Sequence, residues 1–195
     1  MIGCLGIVLA GGLSSRMGKD KAFLERRNQP MVEFSKQLLL EAGVENVVVS
    51  GNTHDIADIY EQQGPVGGIY SVLTQTNCQA ALILPVDLPL MTANVLAELK
   101  HLGSLSQKAT YFSGHSLPLY LPINSYTELF FNRCFSQPGN KGPSVRQLLS
   151  SVPHQEVACK TDSALFNTNT PQQWQQALEH MNNQRGLTHG ESVAR

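Results

Sequence analysis

The stretch CLGIVLAGGLSSRMGKDK, residues 4–21, constrains this chain more than any other. Its run from Leu5 to Ala10 is short, apolar and bounded by glycines, the pattern of a buried strand rather than a helix. The run breaks at Gly11-Gly12, where the backbone turns tightly and a ligand approaches with no Cβ in the way. The polar segment beyond carries Arg16, Lys19 and Lys21 together with the hydroxyls of Ser14 and Ser15. Backbone N–H groups in a glycine-rich turn, backed by cations, make a site for phosphate oxygens. A plain strand-to-helix turn with solvated lysines is the competing reading, and a glycine pair with three cations inside eleven residues weighs against it.

Two familiar phosphate loops are excluded. A P-loop needs four residues between its glycines, then Lys and Ser or Thr. Here five residues separate Gly12 from Gly18, and Asp20 follows Lys19. The dinucleotide spacing G-x-G-x-x-G is absent too, because Gly11 and Gly12 are adjacent.

The rest of the chain sets the frame. Its 195 residues suit one α/β domain, read here as residues 1–181 followed by a polar, frayed tail over 182–195. With 14 Lys+Arg against 15 Asp+Glu the net charge is −1, so no global field advertises nucleic acid or a membrane surface, and phosphate recognition must be local. Cys4, Cys78, Cys134 and Cys159 are scattered without a C-x-x-C pair, which speaks against zinc or a disulfide framework and for buried small hydrophobes. The start lacks a basic n-region, and no apolar run nears the roughly 18 residues of a spanning helix, so a cytoplasmic protein is expected.

Periodicity predicts a helix over residues 30–42 stopped by Gly43, then a buried strand over 46–50. Strand, glycine loop, helix and strand form one βαβ unit, which implies a parallel sheet with a right-handed crossover. Ligands on such sheets sit outside the carboxyl ends of the strands, so Gly11-Gly12 and Ser50-Gly51-Asn52 are expected on one rim. A second glycine cluster, Gly64-Pro65-Val66-Gly67-Gly68, precedes a predicted helix over 69–76. The most continuous apolar run, residues 80–84, reads as a central strand and leads into Pro85-Val86-Asp87-Leu88-Pro89. An aspartate there, stiffened by flanking prolines, is placed to hold a metal ion, and Mg²⁺ needs only one or two carboxylates beside substrate phosphates and water. As a cap for the next helix Asp87 would stand too early, since Thr92 is the natural N-cap. That helix is predicted to stop at Gly103. Strands over 109–112 and 117–121 bracket a turn with His115, and helices follow over 125–135 and 143–151. Thr170 with Gln173 is a capping box, Pro171 suits the first helical position, and the last helix is predicted to end near Met181. The whole describes a three-layer α/β/α fold with a mainly parallel twisted sheet, Rossmann-like in outline.

The segment Leu9-Ala10-Gly11-Gly12-x-Ser14-x-Arg16-Met17-Gly18-x-Asp20-Lys21 resembles the signature of the nucleotidyltransferases that build molybdenum cofactor dinucleotides. L-A-G-G is similar to the guanylyltransferase branch, where the cytidylyltransferase branch tends to L-A-A-G. The G-P-x-x-G turn, the P-x-D-x-P segment around Asp87 and the N-x-N-T-P segment from Asn167 extend the resemblance along most of the chain. Two departures stand out: the segment between Asn52 and Gly64 is shorter than the family pattern, and Ser50 occupies a position where the family often has Asn.

The resemblance implies a nucleotide-diphospho-sugar-transferase-like fold and transfer of GMP from GTP to the phosphate of molybdenum-bearing molybdopterin, with release of pyrophosphate. It implies Arg16, Lys21 and Asp87 as catalytic residues. Leu9, Ala10, Gly11, Gly12, Lys21, Asp58 and Asp87 would bind nucleotide, with Asp55 the alternative to Asp58 near the nucleoside. Asn167 and Asn169 would face substrate, and Mg²⁺ would sit on Asp87. Proteins that supply the cofactor and molybdoenzymes that accept it are the implied partners. Kept beside this reading are a relative using CTP or a sugar phosphate, and a nucleotide-binding module without turnover.

Overall fold

The computed structural model describes residues 2–11, 24–26, 28–60, 63–137, 139 and 141–190. Its main sheet is built outward from β1 (Ile2–Leu9), which pairs in parallel with β4 (Asn46–Ser50) on one side and β5 (Cys78–Pro85) on the other. Beyond β5 come β7 (Leu119–Pro122), β6 (Ala109–Phe112) and β8 (His154–Val157), completing a six-stranded sheet of order β4-β1-β5-β7-β6-β8. Only β7 runs against the others: it is antiparallel to both β5 and β6, while β8 is parallel to β6. The mainly parallel sheet expected from the sequence is thus present. A separate ribbon, β2 (Glu25–Arg26) with β3 (Gln29–Pro30), precedes the first helix.

Two apolar layers cover the sheet. On one face α1 (Met31–Glu41) and α3 (Ala93–Ser106) pack Met31, Leu39, Val95 and Leu99 against Val8, Leu82 and Leu84. On the other, α2 (Gly64–Leu73), α4 (Ser125–Phe135) and α5 (Val145–Leu149) pack Ile69, Phe131 and Leu148 against Leu5, Ile7 and Ile83. A strand covered on both faces reads as a continuous apolar run, as β1 and β5 do. The final helix, α6 (Pro171–Gly190), opens on the expected capping box: Gln173 N–H donates to Thr170 Oγ1 at 3.2 Å and Thr170 N–H to Gln173 Oε1 at 3.1 Å.

Several boundaries differ from the pattern reading, each for a local reason. Helix α2 begins at Gly64, so the glycine-proline cluster is its first turn instead of a loop before it; Pro65 presets the helical φ there. Helix α3 passes through Gly103 and ends in the left-handed Gln107 (φ 54°). Gly103 is a packing residue: a Cβ there would stand 2.2 Å from Tyr120 Cδ1 and 2.9 Å from its Cβ. By contrast Gly43 (φ 81°) is the expected stop after α1. Strand β8 escaped the pattern because His154-Gln155-Glu156-Val157 is an edge strand paired only with β6, and its side chains alternate between exposed and half-buried. Helix α6 continues past Met181 to Gly190, since no proline interrupts that stretch. All four cysteines are free, but only Cys78 is buried and the other three are half-buried; desolvation pushes the Cys4 thiol up to about 11. Among the described residues no helix is long and apolar enough to cross a membrane.

Replacing Gly103 by Ala opposes two effects. Helix propensity alone favours Ala by about 1 kcal/mol. Overpacking in a filled core costs about 1–3 kcal/mol, and Tyr120 cannot swing clear because its Cγ and Cβ, close to the backbone, are among the atoms met. Gly103→Ala is therefore expected to lower the melting temperature; a rise in a thermal melt would refute the packing role.

Candidate active site

The sheet register gathers three loops at one rim. Leu9 pairs with Ser50 on one side and with Pro85 on the other, so the carboxyl ends of β4, β1 and β5 lie level. The pairing continues one step further: Ala10 N–H donates to Ser50 O at 3.0 Å, and Val86 N–H to Leu9 O at 3.3 Å. Leu9 and Ala10 are buried under this rim, and Gly11 is the first exposed residue above it. Of the expected phosphate-binding residues, Gly12, Arg16 and Lys21 lie outside the described residues.

After β4 the chain folds back on itself. Gly51 N–H donates to Ile56 O at 3.0 Å, Ile56 N–H donates to Val49 O at 3.1 Å, and Ser50 and Ile56 form an isolated bridge. Gly51 is required here: its φ is 153°, and a Cβ would stand 3.2 Å from Gly11 N and 2.9 Å from His54 Cδ2. The fold-back separates the two candidate aspartates. Asp55 is exposed, and its Oδ2 accepts the Val49 N–H at 2.9 Å, which makes it a brace for the turn. Asp58 is half-buried and turned toward the rim: a Cβ on Gly11 would meet its Oδ2 at 3.7 Å, and a Cβ on Gly68 its Oδ1 at 3.5 Å. Buried Ser50 donates its hydroxyl to Asp58 Oδ1 at 3.3 Å. Gly68 makes room for this pair, since a side chain there would begin 2.6 Å from Ser50 Oγ. Burial pushes the Asp58 carboxyl above the ordinary carboxylate range, and the Ser50 hydrogen bond partly opposes it.

Asp87 stands in the turn that follows β5. Its carbonyl accepts two bonds from buried Thr168, one from the N–H at 2.9 Å and one from Oγ1 at 3.2 Å. The exposed Asn167 and Asn169 flank that threonine, so the N-x-N-T-P segment is docked on the Asp87 turn. Among the described residues no group of three His, Cys, Asp or Glu forms a metal cage. A carboxylate in a rim turn suits a hard cation that brings water and phosphate oxygens of its own. His115 lies exposed in the turn after β6.

Sequence reasoning missed three contributors. Ser50 was expected on the rim and noted as a departure from a family pattern, but not as the donor to Asp58 that its hydroxyl is. Thr168 acts through a buried hydroxyl between the two asparagines that drew attention. Buried Gln63 donates to Gly139 O at 2.9 Å, tying the start of α2 to the loop between α4 and α5. Contacts of this kind join segments far apart in the chain, and no local pattern announces them.

Comparison with known proteins agrees with this geometry. The MobA-like NTP transferase domain matches residues 6–187. A relative named molybdenum cofactor guanylyltransferase, from Xanthomonas euvesicatoria, is 35% identical over 179 residues, covering 89% of this chain and 93% of its own. Molybdopterin-guanine dinucleotide biosynthesis protein A from Archaeoglobus fulgidus superposes with a TM-score of 0.72 at 18% identity, covering 92% of this chain and 99% of its own. The fold is shared by 2-C-methyl-D-erythritol 4-phosphate cytidylyltransferase from Thermus thermophilus (TM-score 0.61, 14% identity, 91% of this chain and 97% of the other).

The raised Asp58 pKa has a definite consequence for stability. The folded state holds this proton more tightly than the unfolded chain, so the contribution is full below the unfolded carboxylate pKa and is lost as pH rises through the folded one. Asp58→Asn removes that loss and keeps an acceptor for Ser50. The ligand-free variant is expected to melt above wild type at pH 7, with the gap closing toward pH 3. Parallel melting curves across this range would contradict the desolvation of Asp58.

Proposed function

The chain belongs to the MobA-like NTP transferase family, and from that premise we propose that it transfers GMP from GTP to the phosphate of a molybdenum–molybdopterin cofactor, releasing pyrophosphate. The observation that carries this reading is the end-to-end match to a relative named molybdenum cofactor guanylyltransferase, across 89% of the chain. The L-A-G-G sequence of residues 9–12 supports it.

In this reaction an oxygen of the cofactor phosphate attacks the α-phosphorus of GTP in line. The bond to the bridging oxygen of the β-phosphate breaks, and pyrophosphate leaves with that electron pair. No covalent enzyme intermediate is needed, so catalysis is positioning and charge neutralisation. Leu9, Ala10, Gly11 and Gly12 supply the backbone surface for the nucleotide, and Arg16 and Lys21 supply positive charge to the triphosphate. Asp58, facing Gly11 across the rim, is assigned to the nucleoside. Asn167 and Asn169, held beside the Asp87 turn by Thr168, are assigned to the substrate side. Asp87 is assigned to Mg²⁺, which supplies charge neutralisation at the phosphates when bound. The reaction fits a cytoplasmic setting, between a protein that supplies the phosphorylated pterin and a molybdoenzyme that receives the dinucleotide.

Pyrophosphate release with molybdopterin tests the reading directly. GTP is expected to support turnover and to stabilise the protein, by about 2.7 kcal/mol at a hundredfold excess over its Kd; equal or faster turnover with CTP would overturn the guanylyl assignment.

Asp87→Asn preserves size and the backbone carbonyl that Thr168 holds, but removes the charge a hard cation requires. Turnover is expected to drop by about two orders of magnitude or more, and Mg²⁺ to lose its effect on GTP affinity, while the melting temperature stays near wild type. Wild-type turnover in this variant would sink the metal assignment.

A further inference from the structure

We propose that Arg26 is a positioning residue that pins the Asp87 turn to the β2–β3 ribbon and α1. The inference rests on the assignment of Asp87 above. Arg26 lies in the β2–β3 ribbon, a few residues beyond Lys21, and its Nε–H donates to Pro89 O at 2.7 Å. Its guanidinium carbon sits 3.8 Å from the ring centroid of Phe34, a buried residue of α1.

The ribbon does not hold itself in place. Each strand has two residues, and Asn28 turns between them with φ 63°; a hairpin this short is marginal in water. One end is tied to α1, where Met31 N–H donates to Leu24 O at 2.9 Å. Arg26 supplies the tie to the rim.

The Asp87 turn is held from two directions. Thr168 grips the carbonyl of Asp87, and Arg26 grips the carbonyl of Pro89 two residues later. The donors come from opposite ends of the chain, so the turn is fixed to the core by contacts that its own sequence does not contain. Arginine suits the task because its planar cation stacks on the aromatic face while an in-plane N–H donates with defined direction. The result is a set distance between the β2–β3 ribbon on α1 and the turn that brings the carboxylate. Misplacement by about 1 Å at such a centre costs turnover steeply.

The test uses the full-length protein and two variants. Arg26→Met keeps much of the aliphatic bulk over Phe34 and loses the donor and the charge. Phe34→Leu keeps the core apolar and removes the ring. Hydrogen exchange without nucleotide is read at Met91, whose N–H donates to Leu88 O, and at Thr168, whose N–H donates to Asp87 O. Both amides are expected to exchange about tenfold faster in Arg26→Met, with β1 and β4 unchanged. In pyrophosphate release kcat is expected to fall about tenfold with the KM for GTP within about twofold. Phe34→Leu is expected to move both readouts in the same direction by less, and it decides the matter if Arg26→Met does not fold. Unchanged exchange at Met91 and Thr168 overturns the proposal whatever the activity, and so does faster exchange with undiminished kcat. A wild-type protein that releases no pyrophosphate from GTP counts against the proposed reaction instead, and the exchange arm still judges Arg26.

Discussion

The parallel register of β1 between β4 and β5 is the constraint on which the rest of this structure depends. With Leu9 opposite both Ser50 and Pro85, three parallel strands end at one height. A slip by one residue would turn Ile7 and Val8 to the wrong faces, and both faces of β1 are buried, so the apolar layers enforce the register. The rim then follows from geometry: Gly11, Ser50-Gly51 and the Asp87 turn emerge side by side because the strands beneath them leave no other choice.

Around that rim small residues let backbone segments approach one another. Gly51 passes close to Gly11, and Gly68 lets α2 close over Ser50 and Asp58. The segment after β4 folds back through the Ser50–Ile56 bridge and so carries Asp58 to the rim. Asp58 pays for its position with desolvation of its carboxylate.

The Asp87 turn shows how a loop acquires the rigidity of the core. Its backbone is held by Thr168 and Arg26, and Val86 and Leu88 on either side of Asp87 are buried. The reaction proposed above would draw on such rigidity, because in it the protein contributes position and charge rather than bonds.

Much of the fold was legible in the sequence. The strands at 46–50 and 109–112, the helix at 125–135, the Gly43 stop and the Thr170 capping box follow from periodicity and local hydrogen-bonding chemistry, which neighbouring residues decide among themselves. The carboxyl-rim location of Gly11 and Asp87 was legible too, because a parallel βαβ unit leaves its loops on one side. Other features needed the tertiary structure. Gly103 reads locally as a helix stop, and only the approach of Tyr120 makes it a packing residue inside α3. Polar β8 carries no strand pattern of its own and becomes a strand where β6 offers it an edge. Asp55 and Asp58 are equivalent as letters; the fold-back at Gly51 turns one into a brace for Val49 and brings the other to Gly11. Local propensity acts over a few residues, whereas the partners of Asp58, Asp87 and Arg26 arrive through packing across the chain, and packing alone decided their contacts.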